Sequence, residues 1–239
     1  MKQRCLLLWA AGVLATLTLL AAPMEAIQPP GLALDPLTFR LLSLVNPLIL
    51  MTLLVPLGCL QAPKVGLDAP LIGALLQGGP AGAVAHRQFK PALLVAVAAA
   101  GILLLYGWMS QQRFRGTAAE TFAMPLLTRL AYGGVGEELL MRWGLMTLLV
   151  WLLMKLRLPG SAPFLLGAGL AALLFAAGHL PMLYLLLPEA TSAMVLAVLL
   201  GNAVAGFLFG LLYWKQGLEA AMLAHALAHL IAWTAGLIA

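Results

Sequence analysis

The sequence predicts an all-α fold: a polytopic transmembrane helical bundle of about seven spanning helices plus one amphipathic or half-buried segment. Three observations carry that prediction. Of the 239 residues, 63% are hydrophobic and only 9% are charged, against roughly 45–50% and about 25% in soluble chains. The hydrophobic residues gather into runs close to the ~20 that cross a hydrocarbon core about 30 Å thick. Most of the charges fall between those runs. Lys and Arg number 13 against 8 Asp and Glu, a net charge of +5, but they form no basic stripe, so nucleic-acid binding is excluded as a reading of that charge.

The first run, Cys5 to Ala22, follows Lys2 and Arg4. It is expected to be an uncleaved first helix; a signal peptide ending near Ala21 or Ala26 is the alternative, disfavoured because the run is long for a signal core. The second, Phe39 to Leu60, holds Asn46-Pro47, and the proline removes a backbone bond and should kink it. Gly66 to Gly82 is the most irregular connection, with apolar pieces suited to the interface or to re-entry. The third run is Pro91 to Met109.

Thr117 to Tyr132 is apolar but carries Glu120 and Arg129, as an amphipathic or half-buried helix would. The fourth run, Gly136 to Leu156, begins after Gly133-Gly134 with two carboxylates in its first turn. The fifth, Ser161 to His179, stops at Pro181; the sixth, Thr191 to Trp214, contains Gly201, Gly206 and Gly210, which allow close helix approach; the seventh is Leu218 to Ile238. With no linker, the chain reads as one integral-membrane domain. Lys and Arg counted by alternate loops favour an inside N-terminus and an outside C-terminus. Cys5 and Cys59, in apolar stretches at no metal-like spacing, read as inert apolar residues.

A charge inside a spanning helix costs about 2.5–3.5 kcal/mol even on lenient scales, so the few that occur are functional candidates. They are Glu137, Glu138 and Arg142 in the fourth run, His179 ending the fifth, and His225 and His229 in the seventh. Glu138 and Arg142, four apart, share a helix face with the acid N-terminal, which suits an ion pair. Glu137 points roughly 100° away and must look to another helix. It is either a partner of the helix dipole or a general base in a desolvated site. His225 and His229 also share a face, as two imidazoles do that serve one metal ion or one substrate oxygen. Ala226 follows His225, so the H-E-x-x-H zinc motif is absent. Phe175, four before His179, sets its ring beside that imidazole.

These segments resemble a known family. Gly136-Glu137-Glu138-Leu139-Leu140-Met141-Arg142 is similar to the E-E-x-x-x-R signature, and Phe175-Ala176-Ala177-Gly178-His179 to the F-x-x-x-H signature, of the CPBP (Abi) intramembrane proteases. That family includes type II CAAX prenyl proteases and proteins linked to bacteriocin processing or immunity. Phe207-Leu208-Phe209-Gly210 and Gly217-Leu218-Glu219 also resemble its last segments. Residues 1–110 carry no family signal, and 111–239 read as the CPBP-like catalytic core.

The resemblance implies a buried proteolytic site in a helical bundle. Glu137 would activate water with help from His179, His225 and the residue four later would bind or polarise the scissile carbonyl, and Arg142 with Glu138 would hold the site together. The departure is His229, where the family usually has Asn or Asp. An imidazole there also leaves a zinc site open, with His179, His225, His229 and Glu138 as its four donors. No cofactor is favoured and zinc is the alternative.

The expected function is hydrolysis of a peptide bond in a membrane-embedded or membrane-proximal substrate, by an enzyme of the inner cell membrane. The alternatives are a non-catalytic peptide-binding or immunity protein of the same ancestry, and a proton-coupled carrier with a Glu/His relay. No inverted repeat is visible to support a carrier.

Overall fold

The computed structural model describes residues 2–28, 31–32, 34–110 and 122–236, and every regular element among them is helical. In chain order they are α1 (Lys2–Leu17), two 3-10 turns at Thr18–Ala21 and Met24–Ile27, α2 (Pro36–Ser43), α3 (Val45–Val65), α4 (Pro70–Gln77) and α5 (Ala81–Ser110). A continuous run numbered α6 follows, made of an α-turn at Leu126–Thr128, π-helical stretches at Arg129–Glu137 and Leu139–Met146, and α-helix at Thr147–Lys155. The chain ends with α7 (Ala162–Gly178), α8 (Leu180–Leu186), α9 (Ser192–Gln216) and α10 (Leu218–Thr234).

Five stretches are long and apolar enough to cross a membrane: Lys2–Ala21, Pro36–Val65, Ala81–Leu105, Ala162–Leu186 and Ser192–Gln216. Two of the seven expected spans are not among them. The fourth is interrupted by π turns, and the seventh, α10, is a shorter apolar helix. The outer surface suits lipid, since Leu14, Leu53, Leu94, Leu173 and Leu200 are each more than half exposed.

The local breaks have identifiable causes. A Pro47 ring would collide with the carbonyl four residues back in a continuous helix, at Ser43, and there α2 ends, with Leu44 alone between it and α3. Asp35 caps α2 by accepting from Thr38 N at 3.0 Å. The irregular connection after α3 contains α4, and α5 begins ten residues earlier than the apolar run alone suggests. His179 separates α7 from α8, with Pro181 in the first turn of the latter.

Two expectations are corrected. Gly133-Gly134 does not precede the fourth helix but lies inside α6, which begins at Leu126. A Cβ on Gly134 would stand 2.7 Å from Ala226 Cβ, so the missing side chains admit α10 to close contact and do not break the helix. Residues 117–121 of the expected amphipathic segment lie outside the described residues, as do Ile238 and its neighbours at the C-terminus. The second correction concerns Cys5 and Cys59, which form a disulfide tying α1 to α3 with Cα atoms 5.8 Å apart. A sequence separation of 54 hides what helix packing brings together.

The largest core cluster joins Leu8, Met51, Val55, Leu139, Trp143, Met146, Phe209 and Leu218. Trp143 Nε1 donates to Val55 O at 3.2 Å, and Thr147 and Tyr213 hydroxyls meet at 2.9 Å. Gly217, at φ 101°, makes the sharp turn from α9 into α10, and Leu218 N donates to Asp68 O at 3.0 Å. That turn seats α10 among α5, α6 and α9.

Candidate active site

The site is assembled by α6, α7, α9 and α10. On α6, Glu138 and Arg142 are almost fully buried, and Arg142 Nη1 lies 3.1 Å from Glu138 Oε1. The same carboxylate oxygen accepts from His225 Nδ1 on α10 at 2.8 Å. Arg142 Nη2 donates to Gly206 O on α9 at 2.9 Å, and the guanidinium lies over the rings of Phe175 and Phe209, 4.9 and 5.5 Å from their centroids. Three helices are therefore tied through one ion pair.

Glu137 is less buried and faces the other side of the same imidazole, with Oε2 3.9 Å from His225 Nε2. The wider turns of a π-helix reduce the rotation per residue, so adjacent acids diverge less than on an α-helix. That lets Glu138 hold one nitrogen of His225 while Glu137 approaches the other.

The aromatic contacts fix the rings. Phe209 stacks on His225 at 4.6 Å and 20°, and His229 stacks on His225 at 5.0 Å and 22°. Phe175 meets His179 edge-on at 4.6 Å and His225 at 6.3 Å. His179 Nδ1 is 2.8 Å from Phe175 O. A carbonyl only accepts, so Nδ1 carries the proton and a neutral His179 keeps its lone pair on Nε2.

Glu137, His179, His225 and His229 share the wall of a cavity of about 310 Å³. The rest of that wall is mostly apolar and includes Leu183 on α8 and Leu187 at its end, Val198 on α9 and Ile102 on α5. Of the seven residues singled out in the sequence, three are in direct polar contact, Glu138, Arg142 and His225. Glu137 stands beside them, and Phe175, His179 and His229 join through ring contacts.

A family model decides what kind of site this resembles. Residues 119–231 match the family Type II CAAX prenyl endopeptidase Rce1-like. The match bears out the resemblance drawn from the motifs and contains all seven residues. Residues 119–231 are thus similar to a family of membrane proteases, and the five long apolar helices fit an integral membrane protein. No curated protein matches it and no solved structure matches it. The Rce1-like segment stops short of α5, whose Ala99, Ile102 and Leu103 nevertheless line the cavity.

Zinc held by His179, His225, His229 and Glu138 is the alternative that the sequence leaves open. Among the described residues no group of three or more His, Cys, Asp or Glu is placed to hold a metal ion. Glu138 Oε1 is engaged by Arg142 and His225, whereas Glu138 Oε2 and His229 Nδ1 are buried without a hydrogen-bond partner among the described residues.

Sequence reasoning missed three contributors: the Gly206 carbonyl, the Phe209 ring over His225, and Asn202 in the cavity wall. Gly206 and Phe209 lay in segments already marked for helix packing or family resemblance. Asn202 carried its own signal as an uncharged polar residue in a strongly apolar helix.

Proposed function

We propose that the chain is an intramembrane endopeptidase of the CAAX prenyl protease type, acting in the inner cell membrane on a membrane-embedded or membrane-proximal peptide. The observation that carries this reading is the division of labour between two adjacent carboxylates. Glu138 is buried and committed to Arg142 and His225, whereas Glu137 opens onto the cavity.

Glu137 takes a proton from a water molecule whose oxygen attacks the carbonyl carbon. His179, with Nδ1–H bound to the Phe175 carbonyl, turns its basic Nε2 to the same water. His225, held at Nδ1 by Glu138, turns its Nε2 side toward the oxyanion. The proton on Glu137 then passes to the departing nitrogen as the C–N bond breaks. Glu138 and Arg142 position His225 and do not touch substrate. The reaction proceeds on these side chains without a bound metal, and stoichiometric zinc that tracks activity would overturn that part.

The test is Glu137→Gln, which keeps the shape and removes the base. Cleavage of peptides that the wild-type chain hydrolyses should fall by about 10²–10⁴-fold, with insertion and thermal stability in detergent unchanged. Undiminished cleavage by this variant and by His179→Ala would refute the reading.

A further inference from the structure

Asn202 is the one cavity-lining side chain of α9 with an amide, and none of the roles above uses it. Helix α9 is otherwise apolar between Ser192 and Tyr213, so a polar side chain there carries a desolvation cost that calls for a partner. Its Nδ2 donates to Val198 O one turn back on the same helix, at 2.9 Å. That bond satisfies one of the two N–H groups and leaves the second N–H and Oδ1. No hydrogen bond from Asn202 to another helix occurs among the described residues, so it is not the interhelical tie that an intramembrane asparagine often makes.

Helix register shows where that amide stands. A Cβ on Gly210 would lie 3.0 Å from Ala168 Cβ, and one on Gly206 would lie 3.3 Å from Ala172 Cβ and from Phe175 Cδ1. Positions fall along α9 as they rise along α7, so the two helices run antiparallel. One more turn in that register, about 6 Å, sets Asn202 against the end of α7, where His179 stands. Asn202 and Phe209 thus occupy one wall, with Phe209 against His225 and Asn202 farther along the cavity.

We propose that Asn202 is a substrate-binding residue whose carboxamide pairs with one peptide group of the bound segment, beside the bond that is cut. An amide matches a peptide group in kind, since its N–H meets a carbonyl and its carbonyl meets an N–H. The surrounding wall is mostly apolar, so an extended peptide entering it finds there a partner for backbone groups that lose water. The inference rests on the peptidase reading and adds to it a contact away from the reacting atoms, which acts on binding more than on the chemical step.

The experiment uses the full-length chain in detergent and a peptide selected from a library by wild-type cleavage. Each backbone N–H of that peptide is replaced in turn by an ester oxygen, and wild type is compared with Asn202→Leu and Asn202→Thr. The expected result is a fall of about tenfold in kcat/KM for Asn202→Leu, mostly through KM. One ester position outside the scissile bond should cost the wild type and cost neither variant. Equal ester penalties at every position in wild type and variants, or kcat/KM within about twofold of wild type, would overturn the proposal. Glu137→Gln run alongside separates the two ideas: an inactive Glu137→Gln beside a wild-type-like Asn202→Leu overturns only the Asn202 contact. A fully active Glu137→Gln, or a wild type that cleaves no peptide, overturns the peptidase reading and this inference with it. If Asn202→Leu does not accumulate, Asn202→Thr carries the comparison.

Discussion

Two Glu–Arg pairs in this chain have similar chemistry and opposite circumstances. Glu25 and Arg40 meet at the edge of the bundle, where Arg40 donates to both carboxylate oxygens at 2.6 and 2.9 Å and to Leu20 O at 3.0 Å, with both side chains substantially in solvent. Glu138 and Arg142 meet with 0% and 2% of their side chains exposed, and their remaining contacts are a histidine, a backbone carbonyl and two aromatic faces. The edge pair has water as an alternative partner and the buried pair has none. An exposed pair is therefore nearly dispensable, whereas a buried one penalises the loss of either member because the other charge is left stranded.

Breaking the buried pair should have the largest effect. Glu138→Ala leaves Arg142 and His225 without their anion, and should cost about 3–5 kcal/mol of stability together with all detectable peptide cleavage. A variant that keeps its melting temperature in detergent would show that the pair is not the tie between α6, α9 and α10 described above. Replacing both members with Leu and Met sharpens the contrast. Such a chain should regain much of the stability and still cleave nothing, because His225 loses the carboxylate that orients it.

The disulfide comes next. Reducing Cys5–Cys59, or replacing both cysteines with Ser, frees a long loop of the unfolded chain and should cost about 2–4 kcal/mol. A melting curve in detergent with and without reductant measures it, and coincident curves would mean that α1 and α3 are held by packing alone. Gly134→Ala should follow, at about 1–3 kcal/mol, because its methyl group would press on Ala226 and push α10 and His225 away from Glu138. Its activity should therefore fall further than its stability, a split visible by assaying both on one preparation.

The edge pair should give the smallest response. The hydrogen bonds from Arg40 hold the Glu25 carboxyl below its ordinary value of 4.5. A lowered carboxyl stabilises the fold at neutral pH and loses that contribution as pH falls through its folded value, so wild type and Glu25→Gln should converge in acid. At neutral pH their melting temperatures should be barely distinguishable. A large gap would mean that edge and interior differ less than their exposure implies.

The residues of the candidate site were more legible in the sequence than the bundle around them. Intramembrane charge is so costly that Glu137, Glu138, Arg142 and the three histidines announced themselves, and four-residue spacings placed them on shared faces. The contacts between helices were not readable that way. No pattern connects Glu138 to a histidine 87 positions later, or Cys5 to Cys59, because such pairings are made by packing. Boundaries set by composition also failed. Helix α6 starts at Leu126, inside the stretch that Arg129 made read as a separate amphipathic segment, and Gly133-Gly134, which resembled a break, proved to be a place of close approach. Asn202 passed unnoticed because attention went to formal charge, although an uncharged amide in hydrocarbon poses the same question on a smaller scale.

The π-helical build of α6 makes chain length a design variable at this site. A π turn amounts to an α-helix with a residue inserted, so deleting one residue between Arg129 and Glu137 would let that stretch rewind toward α-helical geometry. The acids would keep their identity and their order, but the two would be turned relative to each other and to His225. Diversification of such a site could then proceed by insertion and deletion as readily as by substitution, retuning the aim of one carboxylate without altering a single functional group.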